Sequence, residues 1–214
     1  MNLTTWNCNG GYRNKPHIDS DIIVIQECEK LAQPEWWDGD KEGIGIFSKH
    51  DIMLHEDYNF EFRYVMPVTT NGFNLFGIWA MNDPNNKQNR YISQIWRAIN
   101  YYKKLLKEPT VIIGDFNWNI KWDAKASPPL LGNWVDVVTL LQDSGITSVY
   151  HKYYGEEFGQ ETQPTFYQFK DISKPYHIDY CFTSSHFKID SVEVGKYDEW
   201  IKYSDHMPLT ISLS

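Results

Sequence analysis

Val111-Ile112-Ile113-Gly114-Asp115-Phe116-Asn117-Trp118-Asn119 is the stretch on which the fold turns. A β-branched apolar run that passes through Gly into acid and amide side chains describes a buried strand delivering polar groups to a sheet edge. Open α/β sheets place their ligands at such edges. Taken alone, the same letters also describe a strand followed by an ordinary Asx-rich turn, so the flanking sequence has to decide between the two.

Immediately upstream, Ile92, Ile95, Trp96, Ile99, Tyr102 and Leu106 recur at helical spacing and Pro109 ends the pattern. The neighbouring Arg90, Arg97, Lys103, Lys104 and Lys107 read as the solvated side of an amphipathic helix in preference to a nucleic-acid face. Downstream, Trp122-Asp123 and Pro128-Pro129 lead to a second helix in which Trp134, Val137, Val138 and Leu141 share a face and Ser144-Gly145 ends the run. Farther out, the N-terminal part predicts strands at Leu3–Trp6, Asp21–Ile25 and Glu42–Ser48, and the C-terminal part at His177–Thr183, Lys188–Val194 and Leu209–Leu213. Phe60, Phe62 and Tyr64 alternate with Glu61 and Arg63 and predict a further strand, joined through an Asn71-Gly72 turn to Phe73–Ala80. The polar, aromatic segment 148–165, which holds His151, is expected to be a functional loop.

Composition narrows the class. A chain of 214 residues suits one domain with a substantial core. Its net charge of −8 repels polyanions, so a nucleic-acid substrate would have to be held locally or through cations. Cys8, Cys28 and Cys181 form neither an even disulfide set nor a metal-ligand spacing, which points to reduced thiols and a cytoplasmic setting. No apolar run reaches bilayer length, and Met1–Trp6 lacks the basic-then-apolar order of an export leader, so neither a span nor a leader is expected. A monomer is expected.

Polar groups gather at the ends of the apolar strands: Asn7 and Asn9, Glu27, Asp115 and Asn117, Asp179, and Asp205 with His206. Each has an ordinary explanation as a turn former or an exposed side chain. Their joint recurrence at strand ends does not. In this order, through Trp6-Asn7, Gln26-Glu27, Gly43–Ser48, Gly114-Asp115-Phe116-Asn117, Ile178-Asp179-Tyr180 and Ser204-Asp205-His206-Met207-Pro208, the chain resembles the endonuclease/exonuclease/phosphatase superfamily, which includes DNase I and the apurinic endonucleases. The resemblance runs nearly end to end. It implies an α/β fold, a four-layer α/β/β/α sandwich of two mixed β-sheets over residues 1–214, with the active site in a cleft at their upper edge.

Residue by residue, the resemblance implies Glu27 as the main divalent-cation ligand, with Asn7, Asp205 and, at the position where many relatives carry Asp, Asn9. An oxygen donor set suits Mg²⁺ or Mn²⁺. His206, oriented by Asp179, would contact the scissile phosphate, Asp115 would position and deprotonate the attacking water, and Asn117 would bind a phosphate oxygen. The implied activity is metal-dependent phosphoester hydrolysis, as a phosphodiesterase or nuclease acting on nucleic-acid ends (DNA or RNA) or a nucleotide-like diester. A phosphomonoesterase for a sugar or inositol phosphate and a non-catalytic phosphate-binding module are the competing readings.

Two positions depart from the pattern. Asn9 removes one negative charge from the metal site, and Trp79 stands where relatives place a Tyr or His beside the phosphate, offering one N–H donor and no acceptor. The chain is also short for the superfamily, which leaves little room for substrate-gripping insertions. Trp79, Asn82, Trp118, Trp122 and His151 are the candidate substrate contacts, and Trp36 and Trp37 belong to the same aromatic group.

Overall fold

The structure, a computed structural model, describes residues 1–214 apart from the side chain at position 31. In chain order the first half comprises β1 (Asn2–Asn7), β2 (Ile22–Cys28), β3 (Trp36–Gly39), β4 (Gly43–Ser48), β5 (Ile52–Leu54), β6 (Val65–Thr70), β7 (Phe73–Trp79) and α1 (Ile92–Tyr101). The second half follows with β8 (Thr110–Asp115), α2 (Trp134–Asp143), β9 (Ile146–Ser148), α3 (Val149–Tyr154), β10 (Phe166–Tyr167) and β11 (Pro175–Tyr176). It closes with β12 (Asp179–Ser184), β13 (Ile189–Val194), α4 (Tyr197–Trp200) and β14 (Leu209–Leu213).

Two six-stranded sheets result, in the orders β13-β14-β1-β2-β4-β3 and β5-β6-β7-β8-β12-β9. Each is mixed, with one parallel pair at its centre: β1 with β2 in the first and β7 with β8 in the second. Strands buried on both faces read as continuous apolar runs, which explains Ile22–Ile25 and Val111–Ile113.

Three apolar layers hold the elements together. Leu3, Ile22, Val24, Ile46 and Ile211 of the first sheet meet Val68, Leu75, Val111 and Ile113 of the second. Behind the second sheet, Ile92, Ile95 and Ile99 of α1 and Trp134, Val137 and Leu141 of α2 cover Phe76, Ile112 and Phe182. A fully buried aliphatic side chain of this kind contributes about 1.5–3 kcal/mol. Asn133 and Asp136 start α2 with a reciprocal capping box. The outer layer on the first sheet is thin. Trp6, Ile23, Ile25 and Cys28 are covered by a 3₁₀ turn at Tyr12–Asn14, by Trp37 and Phe47, and by Trp200 and Tyr203 at the end of the four-residue α4. The α/β/β/α order is present, with one outer layer reduced to turns and a single helical turn. Among the described residues, no helix is long and apolar enough to cross a membrane.

Two sequence expectations are corrected here. Phe60–Phe62 is a 3₁₀ turn and not a strand, because the Asn59 side chain accepts the Glu61 N–H and closes the backbone, leaving Phe60 exposed on the surface. The strand that pairs with β7 begins only at Val65. In the segment 148–165, β9 ends at Ser148 and residues Val149–Tyr154 form α3, so the loop is confined to residues 155–165.

Candidate active site

The central parallel pair of each sheet delivers its C-terminal end to the same edge. Asn7 ends β1 and Glu27 is the penultimate residue of β2, while Asp115 ends β8. Antiparallel β12 begins at the same level, with Asp179 in register with Asp115. His206 approaches β14, whose Leu209 pairs with Thr5. Gly114 permits the close approach of β7 to β8, because a Cβ there would stand 2.0 Å from the Ile78 carbonyl oxygen.

Three of these polar residues occupy backbone conformations that L-residues with side chains rarely adopt: Asn9 (φ 54°), Glu27 (φ 54°) and Asn117 (φ 50°). Left-handed non-glycine backbone costs about 1–3 kcal/mol per residue and persists where surrounding contacts enforce it. Here those contacts are visible. Asn7 Oδ1 accepts the Asn9 N–H (3.1 Å), and Asp115 Oδ1 accepts the Asn117 N–H (2.8 Å). Asn117 Nδ2 also donates to the Ala80 carbonyl at 3.2 Å.

Asn7, 1 % exposed, links the two sheets. Its Nδ2 donates to Glu27 Oε1 and to Asp115 Oδ2, both at 3.1 Å. The expected cation ligand thus turns nitrogen, not oxygen, towards Glu27, because its oxygen is taken by Asn9. Asn9 Nδ2 in turn lies 3.4 Å from Asp205 Oδ1.

Beside this bridge, His206 Nδ1 and Asp179 Oδ2 are 2.9 Å apart, and both residues are buried. Thr165 fixes the pair from behind: its hydroxyl accepts the N–H groups of Ile178 and Asp179 at 3.0 Å each, and its carbonyl accepts that of Met207 at 2.6 Å. Ser204 Oγ accepts the His206 N–H and donates to the Asn7 carbonyl, locking the segment to β1. Asp115, Asp179 and His206 each offer one donor atom within 4.8 Å of the others. Among the described residues, Asp179 Oδ1 is buried without a partner and His206 Nε2 has none. An orphaned buried carboxylate oxygen calls for a donor or a cation.

The electrostatics follow from this packing. Burial opposes a charged His206, but Asp179 and Asp115 overcome that and push it up to about 10. Asp115 is fully buried, which raises its carboxyl to about 7; His206 opposes the rise and Asp179 adds to it. Burial also raises Glu27, against the Asn7 hydrogen bond and His206, while Glu42 and Asp205 add to the rise.

The candidate substrate residues divide. Asn82 is exposed just beyond β7, and Trp122 is half-buried with its ring 5.1 Å from Tyr176. Trp79 is buried edge-on to Tyr64, and Trp118 is buried with its Nε1 on Asp123. His151 lies outside the cluster, between Ser148 Oγ (2.7 Å) and Glu161 Oε1 (3.1 Å). These three are packed into the body of the protein by partners that their local sequence does not announce. Trp37 donates to the Cys28 carbonyl and Trp36 packs against the inter-sheet core. Conversely, sequence reading passed over Phe166, half-buried with its ring centroid 4.6 Å from that of His206, and the half-buried Tyr176. An aromatic two residues ahead of an Ile-Asp strand start is the signal that could have found Tyr176.

Residues 4–206 match the sequence signature of the Endonuclease/Exonuclease/phosphatase family. The chain belongs to that family. It is a phosphoester hydrolase, and the strand-end cluster just described falls on the residues that carried the sequence resemblance. No curated protein sequence matches it. Among solved structures, it is similar to an AP endonuclease from Archaeoglobus fulgidus (16% identity, TM-score 0.70, covering 100% of this chain and 99% of that one). It is also similar to the 3′ phosphatase NExo from Neisseria bound to a product DNA hairpin (19%, TM-score 0.67, 100% and 99%). The 3′-5′ exonuclease NExo from Neisseria meningitidis aligns over 100% of both chains at 19% identity with a TM-score of 0.66. At these identities the likeness is one of fold.

Proposed function

We propose that the chain is a divalent-cation-dependent phosphodiesterase that hydrolyses nucleic acid at or near strand ends. The observation that carries the reading is His206, held as a cation by Asp179 with its Nε2 open, beside the buried carboxyl of Asp115. An imidazolium at that place donates to a non-bridging phosphate oxygen and opposes the charge that builds there in the transition state. Asp115, raised towards neutrality, takes a proton from a water aligned with the phosphorus. Asn7 holds Asp115 in position, and the Asn117 amide lies beside it to orient a phosphate oxygen.

The residues present fit a hard cation. Glu27 and Asp205, with the Asn9 amide oxygen, form an oxygen donor set in which Glu27 is half-buried and its charge is poorly compensated. The Asp115–Asp179–His206 trio is the poorer place, because a protonated imidazole cannot ligate. Bound at Glu27, Mg²⁺ or Mn²⁺ would polarise the phosphoryl group and stabilise the leaving oxygen.

Phe166 and Tyr176, the latter against Trp122, offer faces on which a sugar or base next to the scissile phosphate can stack. The product DNA hairpin bound to the structurally similar 3′ phosphatase, together with the exonuclease and AP endonuclease activities named for the other two, supports a nucleic-acid reading. A screen with Mg²⁺ and Mn²⁺ over single-stranded, duplex and abasic DNA, RNA and small phosphoesters tests it. Cleavage of a nucleic-acid diester that requires the cation is expected. Phosphate release from monoesters without cleavage of bis(p-nitrophenyl) phosphate would replace it with a phosphomonoesterase, and no hydrolysis at all would overturn it.

A further inference from the structure

A cavity of about 370 Å³ opens at the end of β7. Its walls include Phe60, Phe62, Arg63, Met81, Asn82 and Arg97. Its distance from the catalytic edge is short along the chain. The Ala80 N–H donates to the Asp115 carbonyl, and the Ala80 carbonyl accepts from Asn117. Met81 and Asn82 are the next two residues, at about 3.3 Å of extended chain each.

The cavity's placement across the sheet is informative. In the order β7-β8-β12, Asp115 sits on the middle strand, the Phe166–Tyr176 faces lie on the β12 side, and the cavity lies on the β7 side. A polymer laid across the strand ends, spaced about 4.8 Å apart, would pass from one to the other over the reacting centre.

The lining suits one kind of ligand. Phe60 is 64 % exposed, and the Arg63 guanidinium stacks on its ring at 4.7 Å. Arg63 itself is committed to Asp38 through Nε and Nη2. Arg97 stacks on Phe62 at 5.4 Å; its Nη1 donates to Asn89 Oδ1 at 3.0 Å and its Nη2 pairs with Glu61, which with Asp83 also lines the cavity. Glu61 is more than half exposed, so that ion pair can exchange for a phosphate. A planar apolar face beside an exchangeable guanidinium is the chemistry of a nucleotide: base on the ring, phosphate on the arginine. In a chain of net charge −8, such a local cation is also what a polyanion requires.

We infer that this cavity holds a nucleotide of the substrate strand beyond the scissile phosphate, with its base stacked on Phe60 and its phosphate on Arg97. The inference rests on the nucleic-acid reading of the catalytic edge. It is tested with Phe60→Ala and Arg97→Ala, neither of which is hydrogen-bonded to Asp115, Asp179 or His206. Two readouts are used: KM for cleavage of single-stranded oligonucleotides of increasing length, and their Kd by fluorescence anisotropy in EDTA. Each variant is expected to raise KM and Kd about tenfold for long strands, to abolish the gain in affinity with length, and to leave bis(p-nitrophenyl) phosphate hydrolysis unchanged. Unaltered length dependence in both variants, with small-diester hydrolysis intact, overturns the cavity assignment and leaves the catalytic reading standing. Failure of the wild type to bind or cleave any strand, DNA or RNA, overturns both.

Discussion

Two buried histidine–carboxylate pairs lie within this molecule. His206–Asp179 and His151–Glu161 are close in distance, 2.9 and 3.1 Å, and in burial. Their surroundings differ. Both ring nitrogens of His151 are used, by Ser148 and Glu161, and Glu161 Oε1 also accepts the Gly159 N–H. The pair is a clasp that ties the segment after α3 to β9. His206 uses one nitrogen and leaves the other open, faces a second carboxylate in Asp115, and is backed by an Asp179 oxygen with no partner. An open nitrogen alone does not make a histidine reactive, since His177 Nε2 is also buried without a partner among the described residues; His206 combines its open nitrogen with two buried carboxylates, Asp179 and Asp115.

The largest effect that separates the two pairs is expected from Asp179→Asn. It keeps the shape but removes the charge that holds His206 protonated, and kcat should fall by roughly 10²–10⁴. Steady-state kinetics beside an unchanged circular dichroism spectrum checks this. Glu161→Gln at the other pair should leave kcat within about threefold while lowering stability by about 1–3 kcal/mol, read as a drop of a few degrees in Tm. A kcat loss in Glu161→Gln matching that of Asp179→Asn would erase the distinction.

A smaller effect concerns pH. His206 has a folded pKa raised from 6.5 to about 10, so the stability it contributes is fully present below 6.5 and is lost as pH rises through about 10. Following the His206 ring by NMR should therefore show no titration between pH 6 and 8. A ring that titrates near 6.5 would mean that Asp179 and Asp115 do not hold its charge. The smallest effect expected is at the cation site, where Asn9→Asp restores a negative charge beside Asp205 and should tighten Mg²⁺ binding by about tenfold or less. Isothermal titration showing equal affinity would place Asn9 outside the site.

The contrast also marks what the sequence could convey. β1, β2, β8 and β14 were legible because strands buried in a sheet core leave apolar runs or strict alternation, and their polar ends were visible as breaks in that pattern. Asp115, Asp179 and His206 were drawn to one edge by the family resemblance; the pairing of β12 with β8, which sets Asp179 opposite Asp115, is a tertiary fact no local pattern spells out. β6 was hidden, since Pro67 interrupts its run while Phe60, Phe62 and Tyr64 nearby alternate more cleanly. Only the Asn59 side chain, closing a turn on Glu61, defeats that alternation. His151 was misplaced for a different reason. One partner, Ser148, is three residues upstream at the start of α3 and does not by itself separate a packed histidine from a reactive one; the other, Glu161, lies ten residues downstream, a spacing with no local signature. The same holds for Thr165, whose hydroxyl secures two backbone N–H groups on the far side of a loop.

The most direct measurement is single-turnover cleavage of an end-labelled single-stranded oligonucleotide with Mg²⁺ by the wild type, His206→Ala and His151→Ala, each shown to be folded. Cleavage is expected to slow by roughly 10²–10⁴ in His206→Ala and to stay within about threefold of wild type in His151→Ala. Equal loss in the two variants, or undiminished cleavage in His206→Ala, would contradict the assignment of chemistry to the open histidine.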